Sequence, residues 1–116
     1  MKTDLNLTKQ QTNFQLTTLG FNEKYNAFNI VSTIIANMHF AGNATVEFYT
    51  EQIKKIAQET HSTPKAINEN LTRFFNNYQS TSANKKLTSK SQFNLIKHGN
   101  YHRILTIYYT ILDVLN

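Results

Sequence analysis

Residues 53–75, IKKIAQETHSTPKAINENLTRFF, leave a folding chain little freedom, because several local signals agree there on two helices and a tight turn. Ile53, Ile56 and Ala57 mark the buried side of a first helix, and Ala57 is small enough to let a second helix cross close by. His61 sits where such a turn needs a left-handed backbone, a job usually given to Gly but open to Asn, Asp or His. Thr63 is an N-cap residue type, and Pro64 follows at the first helical position, where its missing N–H costs nothing and its fixed φ suits a helix. Ile67, Leu71, Phe74 and Tyr78 continue at spacings of four, three and four, one apolar stripe down one face.

The spacing predicts a helix over 64–79 whose other face presents Lys65, Asn68, Glu69, Thr72 and Arg73. Those are the residue types that hydrogen-bond base edges and phosphates. Together with Thr63 they make the segment read as a helix-turn-helix, with helix 64–79 in the major groove of double-stranded DNA. Any helical hairpin in a small α-domain shows an Ile-Ala pair, a turn and a second stripe; the polar face is what favours DNA.

Elsewhere the chain reads as helices punctuated by caps, without a strand. Thr8 with Gln11 forms a capping box for a first helix running through Phe14, Leu16 and Leu19 to Gly20, which leaves residues 1–8 as a flexible N-terminal arm. Asn22 can cap a second helix, in which Phe28, Val31, Ile35 and Met38 recur at three, four and three before Ala41-Gly42-Asn43. Asn43 or Thr45 starts the third helix. Residues 79–88, QSTSANKKLT, read as a mobile loop, and Ser89 with Gln92 as the capping box of a short helix carrying Phe93 and Ile96 and stopped at Gly99. Asn100 can cap the last helix, with Ile104, Leu105, Tyr108, Ile111, Leu112 and Leu115 on a broad apolar face. The expected fold is all-α: one domain over 1–116, a compact bundle of about six helices containing the helix-turn-helix.

The chain has 116 residues, enough for one core, and a formal charge of +5. From residue 60 to 103, Lys65, Arg73, Lys85, Lys86, Lys90, Lys97 and Arg103 face only Glu69. Basic charge and motif therefore coincide, and Lys85, Lys86 and Lys90 join the expected DNA contacts as phosphate ligands. The absence of cysteine removes disulfides, thiolate metal sites and thiol catalysis. With no membrane-length apolar run and no signal-peptide pattern, the expected location is the cytoplasm.

With that helix order in place, the chain resembles a known family. Leu19-Gly20-Phe21, Ala27-Phe28, Ile30-Val31 and Ile34-Ile35 look like the entry and second helix of the C-terminal DNA-binding domain of the sporulation stage-zero response regulator of Gram-positive bacteria. Ile56-Ala57, the polar run to Thr63, then Ile67 and Leu71 keep that family's spacing, and the closing helix around 104–112 is similar in kind. The resemblance covers roughly residues 10–116 and implies a six-helix domain whose fourth helix enters the major groove and which assembles in tandem on paired half-sites. Departures accompany it. The family carries a receiver domain in front, whereas Met1 here stands almost at the effector unit, so no phosphorylation switch in cis is expected. Ala27-Phe28 replaces a Gly-Tyr pair, and Gly99 to Arg103 replaces a Pro-Thr-Asn-Ser-Glu run, so contacts there do not carry over. Ala66, Asn68 and Glu69 stand where the family uses arginine and glutamate, which implies a different target sequence. A free-standing copy in an Asn- and Lys-rich chain suits a mobile element of a low-GC bacterium.

Other chemistries find less support. His98 and His102 have the spacing of two metal ligands on a helix, but Gly99 lies between them and no carboxylate or thiol completes the site. Glu47 and Glu51 are also four apart, yet Glu51 with Lys55 makes an ordinary i,i+4 ion pair. Neither an enzyme nor a bound cofactor is expected. Tyr101, Tyr108 and Tyr109 suit core or subunit contacts better than base stacking. The surplus apolar face of the last helix suggests a homodimer, and a regulatory role brings RNA polymerase in as a further partner. The alternatives are a small helical inhibitor or immunity protein that binds another protein, and a DNA-binding factor for plasmid replication or transfer.

Overall fold

Helix ends in this chain are set by single residues. Gly42 takes a left-handed φ of 64°, and the two N–H groups after the last turn, of Gly42 and Asn43, return to the carbonyls of His39 and Met38. Gly20, at φ 99°, turns the chain in the same way after the first helix. Thr45 Oγ1 accepts from Phe48 N at 3.2 Å and so caps the third helix. The computed structural model describes residues 5–79 and 99–116. These form α1 (Leu5–Thr18), α2 (Asn26–Ala41), α3 (Val46–Glu59), α4 (Pro64–Gln79) and α5 (Asn100–Leu115), with no strand among the described residues. The loop expected after Gln79 and the short helix expected from Ser89 lie outside the described residues.

α2 is the centre. Val31, Ile34, Ile35 and Met38 are fully buried, and the helix packs on all four others. Leu71 and Phe75 from α4, and Ile104, Ile107 and Ile111 from α5, complete the core. Phe21, in the turn after α1, stacks on Tyr78 with ring centroids 3.9 Å apart and on Phe74 at 5.5 Å. The Tyr78 hydroxyl donates to the Leu19 carbonyl at 2.9 Å, so the end of α4 is tied to the end of α1.

Several sequence expectations need correction. α1 begins at Leu5, so residues 5–8 are helix and not arm; Thr8 does not cap but is buried within the helix. The inner face of α1 is Thr8, Thr12, Leu16 and, beyond it, Leu19. Phe14 stands two residues from Leu16, nearly opposite it around a helix of 3.6 residues per turn, and is 68% exposed. α2 meets α1 beside this face with Ser32, whose hydroxyl donates to the Asn13 amide oxygen, and the Thr12 hydroxyl is satisfied at the Thr8 carbonyl. Asn22 does not cap α2: its Oδ1 accepts from Lys24 N at 3.0 Å in a local turn, and Tyr25 stands at the N-cap without a side-chain bond. Gly99, not Asn100, is the N-cap of α5. Glu51 pairs with Lys54 at 3.5 Å and not with Lys55; both side chains are well exposed, so the pair adds little stability.

Candidate nucleic-acid interface

The turn between α3 and α4 is built by backbone bonds. Thr60 N and Ser62 N donate to the carbonyls of Ile56 and Ala57 at 3.0 and 2.8 Å, and the Thr60 hydroxyl adds a bond to the Ile56 carbonyl at 2.7 Å. His61 holds φ 55°, the one non-glycine residue with positive φ among those described. Thr63 Oγ1 then accepts from Ala66 N at 3.1 Å, and Pro64 opens α4. These few residues fix where α4 begins and therefore which of its sides faces the core. Ile67, Leu71, Phe74, Phe75 and Tyr78 are buried.

The opposite side carries the expected polar residues. Lys65, Asn68, Glu69, Thr72 and Arg73 line one shallow, open groove of about 490 Å3. Lys65, Glu69 and Arg73 succeed one another at steps of four and are exposed. No ion pair joins Glu69 to either cation among the described residues, although an i,i+4 pairing is open to both.

Asn68 and Thr72 are less free than their spacing suggests. Asn68 is half-buried: its Oδ1 accepts from the Tyr49 hydroxyl of α3 at 3.1 Å. Asn100, the first residue of α5, donates from Nδ2 to the Asn68 carbonyl at 3.0 Å and to Thr72 Oγ1 at 3.1 Å. The Thr72 hydroxyl in turn donates to the Asn68 carbonyl at 2.9 Å. Both residues stand on the flank of α4 beside its apolar stripe, three positions before Leu71 and Phe75 respectively, within reach of the neighbouring helices. Tyr49 carries no sequence signal for this contact, and Asn100 signals only a helix start.

Arg103 departs further from expectation. It counts toward the basic surplus of the second half, but it is 7% exposed, its guanidinium lies 5.7 Å from the Phe75 ring centroid, and Nη1 donates to Asn100 Oδ1 at 3.3 Å. Burial lowers its pKa from the ordinary arginine value. A side chain in that position packs against α4 and shows little of itself to solvent. Lys85, Lys86, Lys90 and Lys97, and with them His98, lie outside the described residues.

The tyrosines of α5 divide. Tyr101 donates to the Ala44 carbonyl at 2.7 Å and packs on Tyr49, Tyr108 is buried against His39, and Tyr109 is 59% exposed. Among the described residues no three His, Cys, Asp or Glu side chains gather as a metal site, and no helix is long and apolar enough to cross a membrane. Comparison with models of protein families, with curated proteins and with solved structures gives no match.

Proposed function

We propose that this chain is a sequence-specific double-stranded DNA-binding protein, in which α3, the His61 turn and α4 form a helix-turn-helix and α4 enters the major groove. One observation carries the reading: Lys65, Asn68, Glu69, Thr72 and Arg73 line a single open groove on the helix that follows a Thr-capped, left-handed turn. Its cations suit phosphates and guanine, and its amide, hydroxyl and carboxylate suit the remaining base edges. Membership of the sporulation effector-domain class, control of transcription through RNA polymerase, and origin in a mobile element extend this proposal. A role in plasmid replication or transfer uses the same surface.

The proposed assembly is a homodimer through α5, motivated by exposed Tyr109 and Val114 and half-buried Leu105 and Leu112 on that helix. Docking of another protein is the second reading, and exposed Leu7 and Phe14 on α1 favour it. Selection from a random duplex library decides between them. A helix-turn-helix protein enriches a motif that it binds at least about a thousandfold more tightly than random DNA. A library returned without an enriched motif rejects the proposal and leaves protein docking.

A further inference from the structure

The Asn68 side-chain amide has an acceptor end and a donor end, and α3 occupies the first. Tyr49 Oη donates to Oδ1 at 3.1 Å, which holds the oxygen end of the planar amide toward α3 and turns Nδ2 away from it, on a residue that lines the groove. Tyr49 is well held for that role: it is 7% exposed and its ring packs against Tyr101 with centroids 5.4 Å apart. A tyrosine hydroxyl is protonated at neutral pH and can donate, and burial pushes that of Tyr49 further up, to about 12. Asn100 supplies a second restraint by binding the Asn68 carbonyl and the Thr72 hydroxyl, which fixes the turn of α4 that carries the amide.

An unrestrained asparagine offers donor and acceptor side by side and matches N6 and N7 of adenine. An asparagine whose oxygen is held toward a neighbouring helix keeps a second lone pair there, but it leads with its N–H groups. Both purines present the N7 acceptor in the major groove, but beside it guanine sets the O6 acceptor and adenine an amino group, which opposes a second donor. We propose that Tyr49 is a positioning residue that makes Asn68 a reader of guanine. This rests on the DNA-binding reading of α4 and adds to it the base that one residue selects.

The experiment is selection from a random duplex library by the wild-type, Tyr49→Phe and Asn68→Ala proteins, with folding of each followed by circular dichroism. The wild-type motif should contain a G·C pair at which adenine is disfavoured by about tenfold or more. Asn68→Ala should erase preference at that pair alone. Tyr49→Phe, which frees the amide oxygen, should keep the other positions and move this pair toward adenine. If Asn68→Ala alters a position that prefers adenine, or alters none, or if Tyr49→Phe leaves the guanine preference intact, the inference fails while DNA binding stands. Absence of any wild-type motif overturns both. Should Tyr49→Phe not fold, Asn68→Asp serves instead: it keeps the oxygen that Tyr49 needs and removes the NH2 group, so retained guanine preference overturns the inference.

Discussion

His39 joins the end of α2 to the end of α5, with Nε2 3.1 Å from the Leu115 carbonyl oxygen and Nδ1 3.0 Å from the Tyr108 hydroxyl. A carbonyl only accepts, so Nε2 carries the proton, and in the neutral ring Nδ1 accepts from Tyr108. The T-shaped contact between the two rings adds packing to the bonds.

His39→Leu keeps much of the volume but leaves the Tyr108 hydroxyl and the Leu115 carbonyl without this partner. The expected loss is about 1–3 kcal/mol of unfolding free energy, the usual effect of stranding a partly buried polar group. Urea unfolding with an unchanged slope measures it; a midpoint equal to wild type removes His39 from the determinants of stability.

Alkaline pH should weaken the fold through its tyrosines. Tyr49 is pushed up to about 12 from 10.0 by burial, and burial raises Tyr78, Tyr101 and Tyr108 as well. Above pH 10 the unfolded chain releases these protons while the folded chain keeps them, so the stability present in full below pH 10 falls as pH rises toward 12. Tyr49 alone accounts for about 2–3 kcal/mol of that fall. Unfolding midpoints measured across this range should drop less steeply in Tyr49→Phe than in wild type.

The turn before α4 offers two opposed substitutions. His61→Val places a β-branched residue at φ 55° and should cost about 1–2 kcal/mol, whereas His61→Gly relieves the left-handed strain and should match or exceed wild type. Thr63→Ala removes the cap on Ala66 N and should cost about 0.5–2 kcal/mol. Thermal melts of the three proteins check the order.

Surface and buried cations should separate in their salt dependence. Lys65→Ala and Arg73→Ala each remove an exposed charge from the groove and should reduce the salt slope of DNA binding by about one where a phosphate contact is lost. Glu69→Ala removes the groove's anion and should strengthen binding to random duplex. Arg103→Met, at a buried position against Phe75, should leave the salt slope unchanged. A reduced slope in that variant would place Arg103 among the phosphate ligands after all.

Local signals held in part: His61 takes the left-handed turn, Thr63 caps α4, and Thr45, one of two offered starts, caps α3. The caps expected at Thr8, Asn22 and Asn100 failed, because a capping residue type also suits a buried helix position or a neighbouring turn. The stripe from Ile67 to Tyr78 was legible, since burial on a helix follows its period. What escaped the sequence was long-range pairing. Asn68 is matched with Tyr49, Thr72 with Asn100, and Arg103 lies over Phe75; none of these is set by periodicity, and each changes what a polar residue can do. The inward threonines of α1 escaped because a threonine within a helix can bond its hydroxyl to the carbonyl four residues back, as Thr12 does at Thr8, and so be buried where an apolar stripe would be sought.

That inner face also fixes an order of opening. Thr8 and Thr12 bring only a methyl group each where an aliphatic residue would bring a branched chain, and the Thr12 hydroxyl is satisfied within its own helix at the Thr8 carbonyl. The first turns of α1 thus bring little hydrocarbon of their own to the core, and the free energy of a local opening follows the apolar area it wets. In deuterated solvent the amides of residues 5–12 should be the first helical ones to exchange. The α3–α4 pair, held by the fully buried Leu71 and Phe75, should keep its protons longer.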